Sequence, residues 1–331
     1  LAPICFRNVT RGQETIPMVR ITRRTAFGLG AGALAAGLAR PAAALVIQRP
    51  GRTIVGFPAG GSSDVVARLY AERLRGVYAP QVLVENRTGA AGRIAVEAVK
   101  AAAPDGETWL QTPASMFTLQ PHVFPRQVRY DALTDFAPVT TVATFPFALA
   151  VPANHPAPDS PSPSPAAGAP PHCMGARLAR ATGARMTHVS YRGAAPAVQD
   201  LIGGRIQAFM GVLGDITPYL GQGLRILAVS SERRNPRYPD FPTFAELGLG
   251  ELTKEEWFGV ALPAGTPAPI VRGLYDALTR AAATPEMREA LEKLDYGAVT
   301  SPSPAAFAER IRREREEWAA VVRDSGVQLE D

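Results

Sequence analysis

The sequence predicts an α/β fold built in two similar halves, and three observations lead to it. Short apolar runs alternate with helical patterns through most of the chain, the order that produces parallel sheets flanked by helices. The alternation restarts after Pro171. The length of 331 residues exceeds what one hydrophobic core usually serves, which favours two domains.

The elements follow in order. RTIVGF (52–57) reads as a buried strand, and SSDVVARLYAERL (62–74) as a helix with Val65, Val66, Leu69 and Leu74 on one face. PQVLVEN (80–86) is the next strand, completing a βαβ unit. AAGRIAVEAVKAA (90–102) has helical spacing at Ile94, Ala98 and Val99, and ETWLQT (107–112) supplies a third strand after the turn Pro104-Asp105-Gly106. In the second half MTHVSY (186–191) reads as strand, APAVQDLIGG (195–204) as helix, and RIQAFMGV (205–212) and LRILAVSS (224–231) as strands. Thr284-Pro285-Glu286 combines a capping hydroxyl, a proline at the first helical position and an acid in the first turn. In the last helix Phe307, Ile311, Trp318 and Val322 share a face while mixed charges fill the other, which argues for packing onto a sheet rather than for a membrane-surface helix.

Residues 1–44 have the character of a leader. They carry six arginines against the single acid Glu14, and RITRRTAFGLGAGALAAGLARPAAA runs from a cationic start through an uncharged stretch to the small residues Ala42-Ala43-Ala44. The stretch is shorter than the ~20 residues of a membrane helix, so export with cleavage near Ala44 is expected, leaving the protein in the periplasm. Arg23-Arg24 matches a twin-arginine signal in part, so the route stays open between that and the general one. Met18 is where such a leader would begin, with residues 1–17 an over-extended start.

The whole chain has 35 basic and 30 acidic residues; without the leader the two are balanced. Nucleic-acid binding, which needs a basic face on the folded domain, is thereby excluded. Of two cysteines, Cys5 precedes the leader and Cys173 is left alone, so no internal disulfide is expected. The four histidines show no metal-ligand spacing, no G-x-S-x-G elbow appears, and Glu255-Glu256 reads as a solvated strand entrance. No catalytic group, metal or cofactor is expected.

The most informative stretch is GFPAGGSSD, which joins the first strand to the first helix. Gly60 and Gly61 let backbone approach a bound group, and the helix beginning near Ser62 to Asp64 points free N–H groups at it, an arrangement that favours an anion. It lies at the carboxyl end of a strand, where open α/β sheets bind ligands. It is no nucleotide fingerprint, because neither G-x-G-x-x-G nor a following Lys-Ser/Thr is present.

FPAGGSSDVVARL, VLVENRTGAAGRIAVEAVKAAAPDGETWL, YDALTDFAPVT, THVSYRGAAPAVQDLIGGRI, LRILAVSSERRNPRYPDFPTFAELGL and EEWFGVALPAGTPAPIV together resemble the Bug-type extracytoplasmic solute-binding receptors of tripartite tricarboxylate transporters. The blocks run in the family's order from about residue 52 to the C-terminus. The resemblance implies a two-lobed flytrap of type II periplasmic binding-protein architecture with two parallel-type sheets, not an enzyme, closing as a monomer on a small mono- or dicarboxylate that membrane subunits import. It implies ligand-binding roles for Phe57, Pro58, Ala59, Gly60, Gly61, Ser62 and Asp64, and for the loop Thr112, Pro113, Ala114 and Ser115. In the second lobe it points to Tyr191, Gly193 and Pro196 and to the region Gly211 to Asp215, while Arg192 stays open between a ligand contact and a surface position. The lobes would be 45–146 plus 231–331, and 147–230, with a hinge near Phe145 and Ser231.

The interval ANHPAPDSPSPSPAAGAPPHCMGARLARATGAR departs from the family pattern. Its seven prolines between 156 and 171 forbid a regular helix and a central strand alike, where the family has a helix and a strand. A Pro/Ser linker and a truncated second lobe with an exposed edge are expected here. An alternative role follows: a binding-impaired interaction protein presented to a membrane sensor.

Overall fold

The computed structural model describes residues 46–155, 169–191 and 193–325. The leader, the Pro-rich run 156–168 and Arg192 lie outside the described residues. Residues 45–331 form one compact unit.

The first βαβαβ unit forms where its local pattern places it. β1 (Gly51–Val55), α1 (Ser62–Leu74), β2 (Val82–Asn86), α2 (Arg93–Lys100) and β3 (Thr108–Pro113) follow in order. β1 lies between β2 and β3, parallel to both, with Thr53 opposite Val84 and Trp109. On α1 the fully buried stripe is Val66, Tyr70 and Leu74, while Val65 and Leu69 sit at its edge. The Tyr70 hydroxyl explains the rotation, because it donates to Val142 O at 2.7 Å in the core, and a buried phenol needs that partner.

Two short helices, α3 (Ser115–Thr118) and α4 (Gln120–Val123), lead to β4 (Phe136–Pro152), a strand of 17 residues. At ~3.3 Å per residue such a strand spans about 55 Å, enough to serve two sheets. α5 (Pro170–Thr182) and α6 (Ala194–Ile202) precede β5 (Phe209–Val212), α7 (Leu213–Ile216) and β6 (Leu224–Val229). The first part of β4 pairs with β7 (Glu255–Pro263), which also pairs with β3; its last residues pair with β5 on one side and β6 on the other. The order is β2-β1-β3-β7-β4-β5, with β6 on β4. α8 (Ala268–Ala283), α9 (Pro285–Glu292) and α10 (Pro304–Ser325) complete the chain. Thr284 Oγ1 caps α9, accepting from Met287 N, and α10 buries Phe307, Ile311 and Trp318 as its apolar stripe requires.

Three expectations are corrected. The sheets are mixed rather than parallel: β4 enters both sheets directly, and β5, β6 and β7 all run antiparallel to it, so the helices that lie between these strands in sequence do not make parallel crossovers. Residues 186–191 are not a strand; Ser190 makes only a bridge, and β4 carries β5 and β6 on its two edges. An apolar alternation becomes a strand only where a neighbouring edge takes its N–H and C=O groups. Finally, Pro170 and Pro171 do not exclude a helix but begin α5, occupying first-turn positions that lack intrahelical acceptors.

At the passage from one sheet to the other, Phe145 packs against Phe258 and Tyr296 with ring centroids 4.8 and 5.2 Å apart. Ser230 fastens the strands there: its N donates to Phe147 O, its Oγ to Lys254 O, and it receives Phe147 N.

Candidate functional site

The turn after β1 is held open by one carboxylate. Gly60 has φ +79°, a left-handed conformation with nothing beside it, and Gly61 donates to Pro58 O. Asp64, buried in the first turn of α1, receives Gly60 N and Arg68 Nε on Oδ2, and Arg68 Nη2 and Asn86 Nδ2 on Oδ1, each at 2.9 Å. Asn86 also donates to Phe57 O. Burial pushes the Asp64 carboxyl up, but these donors outweigh it and hold it below the usual carboxylate range. Asp64 is thus the clamp that fixes the loop, with both oxygens already in use. Phe57 is partly buried, and Pro58, Ala59 and Gly60 are exposed at the tip.

The next residues face other chain segments. Ser62 Oγ donates to Asp215 Oδ1 at 3.1 Å, joining two of the residues expected in the site. Burial raises the Asp215 carboxyl. Burial also raises the Tyr296 phenol, with the Asp215 charge adding to the effect. Ser63, which the sequence reading passed over, has a buried hydroxyl without a hydrogen-bond partner, and its carbonyl accepts Gln111 Nε2.

At the end of β3, Thr112 is buried, Ala114 N donates to Trp257 O, and Ser115 N donates to Glu256 Oε1 at 2.7 Å. Glu256 was expected at a solvated entrance and is instead buried. Burial pushes its carboxyl up to about 7, with Ser115 drawing it back, Glu314 raising it and Lys254 lowering it.

The remaining expected residues sit apart from these contacts. Tyr191 donates to Asp200 Oδ2 at 2.9 Å, within its own half. Gly193, φ +104°, precedes α6, and Pro196 lies exposed in its first turn. Gly211 lies within β5, and Arg192 is outside the described residues. Cys173 is buried, its thiol pushed up to about 12 by burial, and so is no nucleophile. Among the described residues no group of three or more His, Cys, Asp and Glu could hold a metal ion, and no helix is long and apolar enough to cross a membrane. Among the described residues, an apolar cavity of about 220 Å³ is bordered by Leu149, Leu178, Met186 and Phe244, and one of about 570 Å³ by Thr144, Arg233, Glu255 and Tyr296, the last of these beside Asp215.

Comparison with known proteins identifies the fold and the family. The family model described as tripartite tricarboxylate transporter family receptor matches residues 66–160 and 162–327. Protein BugT of Bordetella pertussis is 32% identical over 313 residues, which cover 89% of this chain and 95% of BugT. Among solved structures, MatC of Rhodopseudomonas palustris with bound malate superposes with a TM-score of 0.74 at 27% identity, covering 83% of this chain and 99% of MatC. Rpa4515 of R. palustris with adipate superposes with a TM-score of 0.77 at 28% identity, covering 85% of this chain and 98% of that one. Coverage of 98–99% overturns the expectation of a truncated second lobe: the match runs the length of the fold, and the Pro-rich departure is local. The fold is that of a periplasmic binding protein, and the chain belongs to the tripartite tricarboxylate transporter receptor family, whose members bind solutes rather than turn them over.

Proposed function

We propose that this protein is a periplasmic receptor that captures a small mono- or dicarboxylate between two lobes and delivers it to the membrane subunits of a tripartite tricarboxylate transporter. The observation that carries this reading is the start of α1. There a glycine turn held open by Asp64 exposes the helix N-terminus, and the Ser63 hydroxyl lies buried without a partner. Helix N-termini with free N–H groups favour carboxylates, and several charge-assisted hydrogen bonds offset the cost of desolvating one. Relatives of the same fold hold malate and adipate. Ligand residues in this reading are Phe57 to Ser62, with Asp64 holding their loop, Thr112 and Ser115 from the first lobe, and Tyr191, Gly193, Pro196 and Asp215 from the second. The lobes are 45–146 with 231–331, and 147–230. The hinge lies where β4 leaves one sheet for the other near Phe145, and at Ser231 beside Ser230. The protein reaches its compartment by cleavage near Ala44 and works as a monomer.

Thermal unfolding of the purified protein across a panel of small carboxylates tests the reading. A ligand at 100 times its Kd stabilises the fold by about 2.7 kcal/mol, a visible upward step in Tm. A cooperative transition that no carboxylate moves would count against a receptor of this class.

A further inference from the structure

Both serines assigned to the ligand loops are already bonded to carboxyl groups of the protein. Ser62 Oγ is held by Asp215, and Ser115 N by Glu256. No Lys or Arg lies within ion-pair distance of either acid among the described residues: the cations nearby are committed elsewhere, Lys254 to Glu317, Arg310 to Glu314 and Arg237 to Asp295. The groups around Glu256 are Glu255 and Lys254 in its own chain segment and Glu314 of α10, which Arg310 and Trp257 Nε1 already hold. Around Asp215 stand Ser62, the Tyr296 phenol and, through Thr217, Asp295. Loops that take a dianion are expected to stand near cations; these two each carry an acid without a counter-charge.

We propose that Asp215 and Glu256 select the charge of the ligand, so that the protein takes a monoanionic carboxylate and admits a second carboxylate only together with a proton. The proposal rests on the reading of residues 57–62, 112–115 and 215 as ligand loops. Two negative charges brought close in a buried setting repel strongly, and adding a proton to one of the protein acids removes the repulsion while leaving a hydrogen-bond donor for the incoming carboxylate. A Glu256 carboxyl titrating at about 7 is roughly nine-tenths protonated at pH 6 and one-tenth at pH 8. A ligand that requires the protonated form therefore loses affinity about tenfold across that range.

Isothermal titration calorimetry with adipate and with adipic acid monoamide, at pH 6, 7 and 8 and in two buffers of different ionisation enthalpy, tests this directly. The expected result is net proton uptake with adipate, about half a proton at pH 7 and near one at pH 8, a roughly tenfold weakening from pH 6 to pH 8, and neither effect with the monoamide. In Glu256→Gln the larger share of the uptake disappears, and in the double variant Asp215→Asn/Glu256→Gln all of it does. That loss separates a proton taken by the protein from one carried in by the ligand. Equal pH dependence for the two probes, or uptake that persists in the double variant, overturns the charge selection while leaving the receptor reading intact. Binding of neither probe at any pH, together with no shift from any member of the carboxylate panel, removes the receptor reading of this site and the proposal with it.

Discussion

The Ser62 hydroxyl donates to the Asp215 carboxylate at 3.1 Å across 153 positions of sequence, tying the first turn of α1 to α7 at the end of β5. The neighbouring backbone sets this distance. A Cβ placed on Gly214 would lie 2.2 Å from Leu294 O, so α7 rests directly on the segment 294–296. Thr217 Oγ1 then donates to Asp295 Oδ2 at 2.6 Å. Asp295, with φ +60°, also accepts from Arg237 and Tyr238.

Gly214→Ala is therefore expected to push α7 off its seat. The obstacle is a carbonyl oxygen of the main chain and cannot rotate away, so the strain should reach the upper part of the 1–3 kcal/mol range for overpacking. Chemical denaturation would show a lower midpoint, and a midpoint within error of the parent would contradict the packing described.

Asp295→Ala leaves Thr217, Arg237 and Tyr238 without their shared acceptor and places an alanine at positive φ. A loss of about 3 kcal/mol is expected from the broken network. Asp295→Gly relieves the backbone and should recover part of it, a difference the two unfolding midpoints would reveal.

Glu256 gives stability an unusual dependence on pH. Its carboxyl is raised in the folded state to about 7, so the fold binds a proton that the unfolded chain releases near 4.3. Stability is accordingly lost as pH rises through that window. Glu256→Gln should remove the penalty, on the order of 3 kcal/mol at pH 8 and nothing at pH 4. Parallel melts of variant and parent should diverge as pH rises above about 4.5 and run level again above about 7, and parallel curves throughout would refute an uncompensated buried carboxyl.

Asp64 behaves with the opposite sign. Its carboxyl is depressed in the fold, so its contribution is present above the unfolded value near 3.9 and fades as pH falls through the folded one. Asp64→Ala should cost about 2 kcal/mol at pH 7, since Gly60 N, Arg68 and Asn86 lose a common acceptor, and the cost should shrink below pH 4. Melts at pH 7 and pH 3.5 give the comparison, and an equal loss at both would assign Asp64 a packing role only.

The contrast between Asp64 and Glu256 shows what the sequence could reveal. The unit from β1 to β3 was legible because its signals are local: apolar runs, a glycine turn, an acid in the first turn of α1. The site proposed at that turn rests on the same residues. The antiparallel return of β7 and the failure of 186–191 to form a strand depend on which edges meet across a hundred residues, and no local period encodes that. Glu256 was misread because an acid at a strand entrance looks solvated until Ser115 and α10 close over it, and Ser63 shows its missing partner only in three dimensions.

Beside the candidate site, the loop Gly89–Gly92 stores strain that substitution can release. Four consecutive residues have positive φ, at 127°, 45°, 52° and 96°, and the middle two are Ala90 and Ala91. An alanine held left-handed costs roughly 1–2 kcal/mol relative to the right-handed region, a cost glycine avoids. Ala91 is exposed, so Ala91→Gly loses little packing and should stabilise the protein by about 1 kcal/mol after the extra freedom of glycine in the unfolded chain is counted. Gly92→Ala should act in the other direction by more than that, because φ is +96° and its Cβ would meet Phe57 Cζ at 3.2 Å and Met116 Sδ at 3.3 Å. Urea unfolding of the two variants, with unchanged m-values, would show midpoints moved in opposite senses. A destabilised Ala91→Gly would mean that the left-handed turn is not strained in the folded protein.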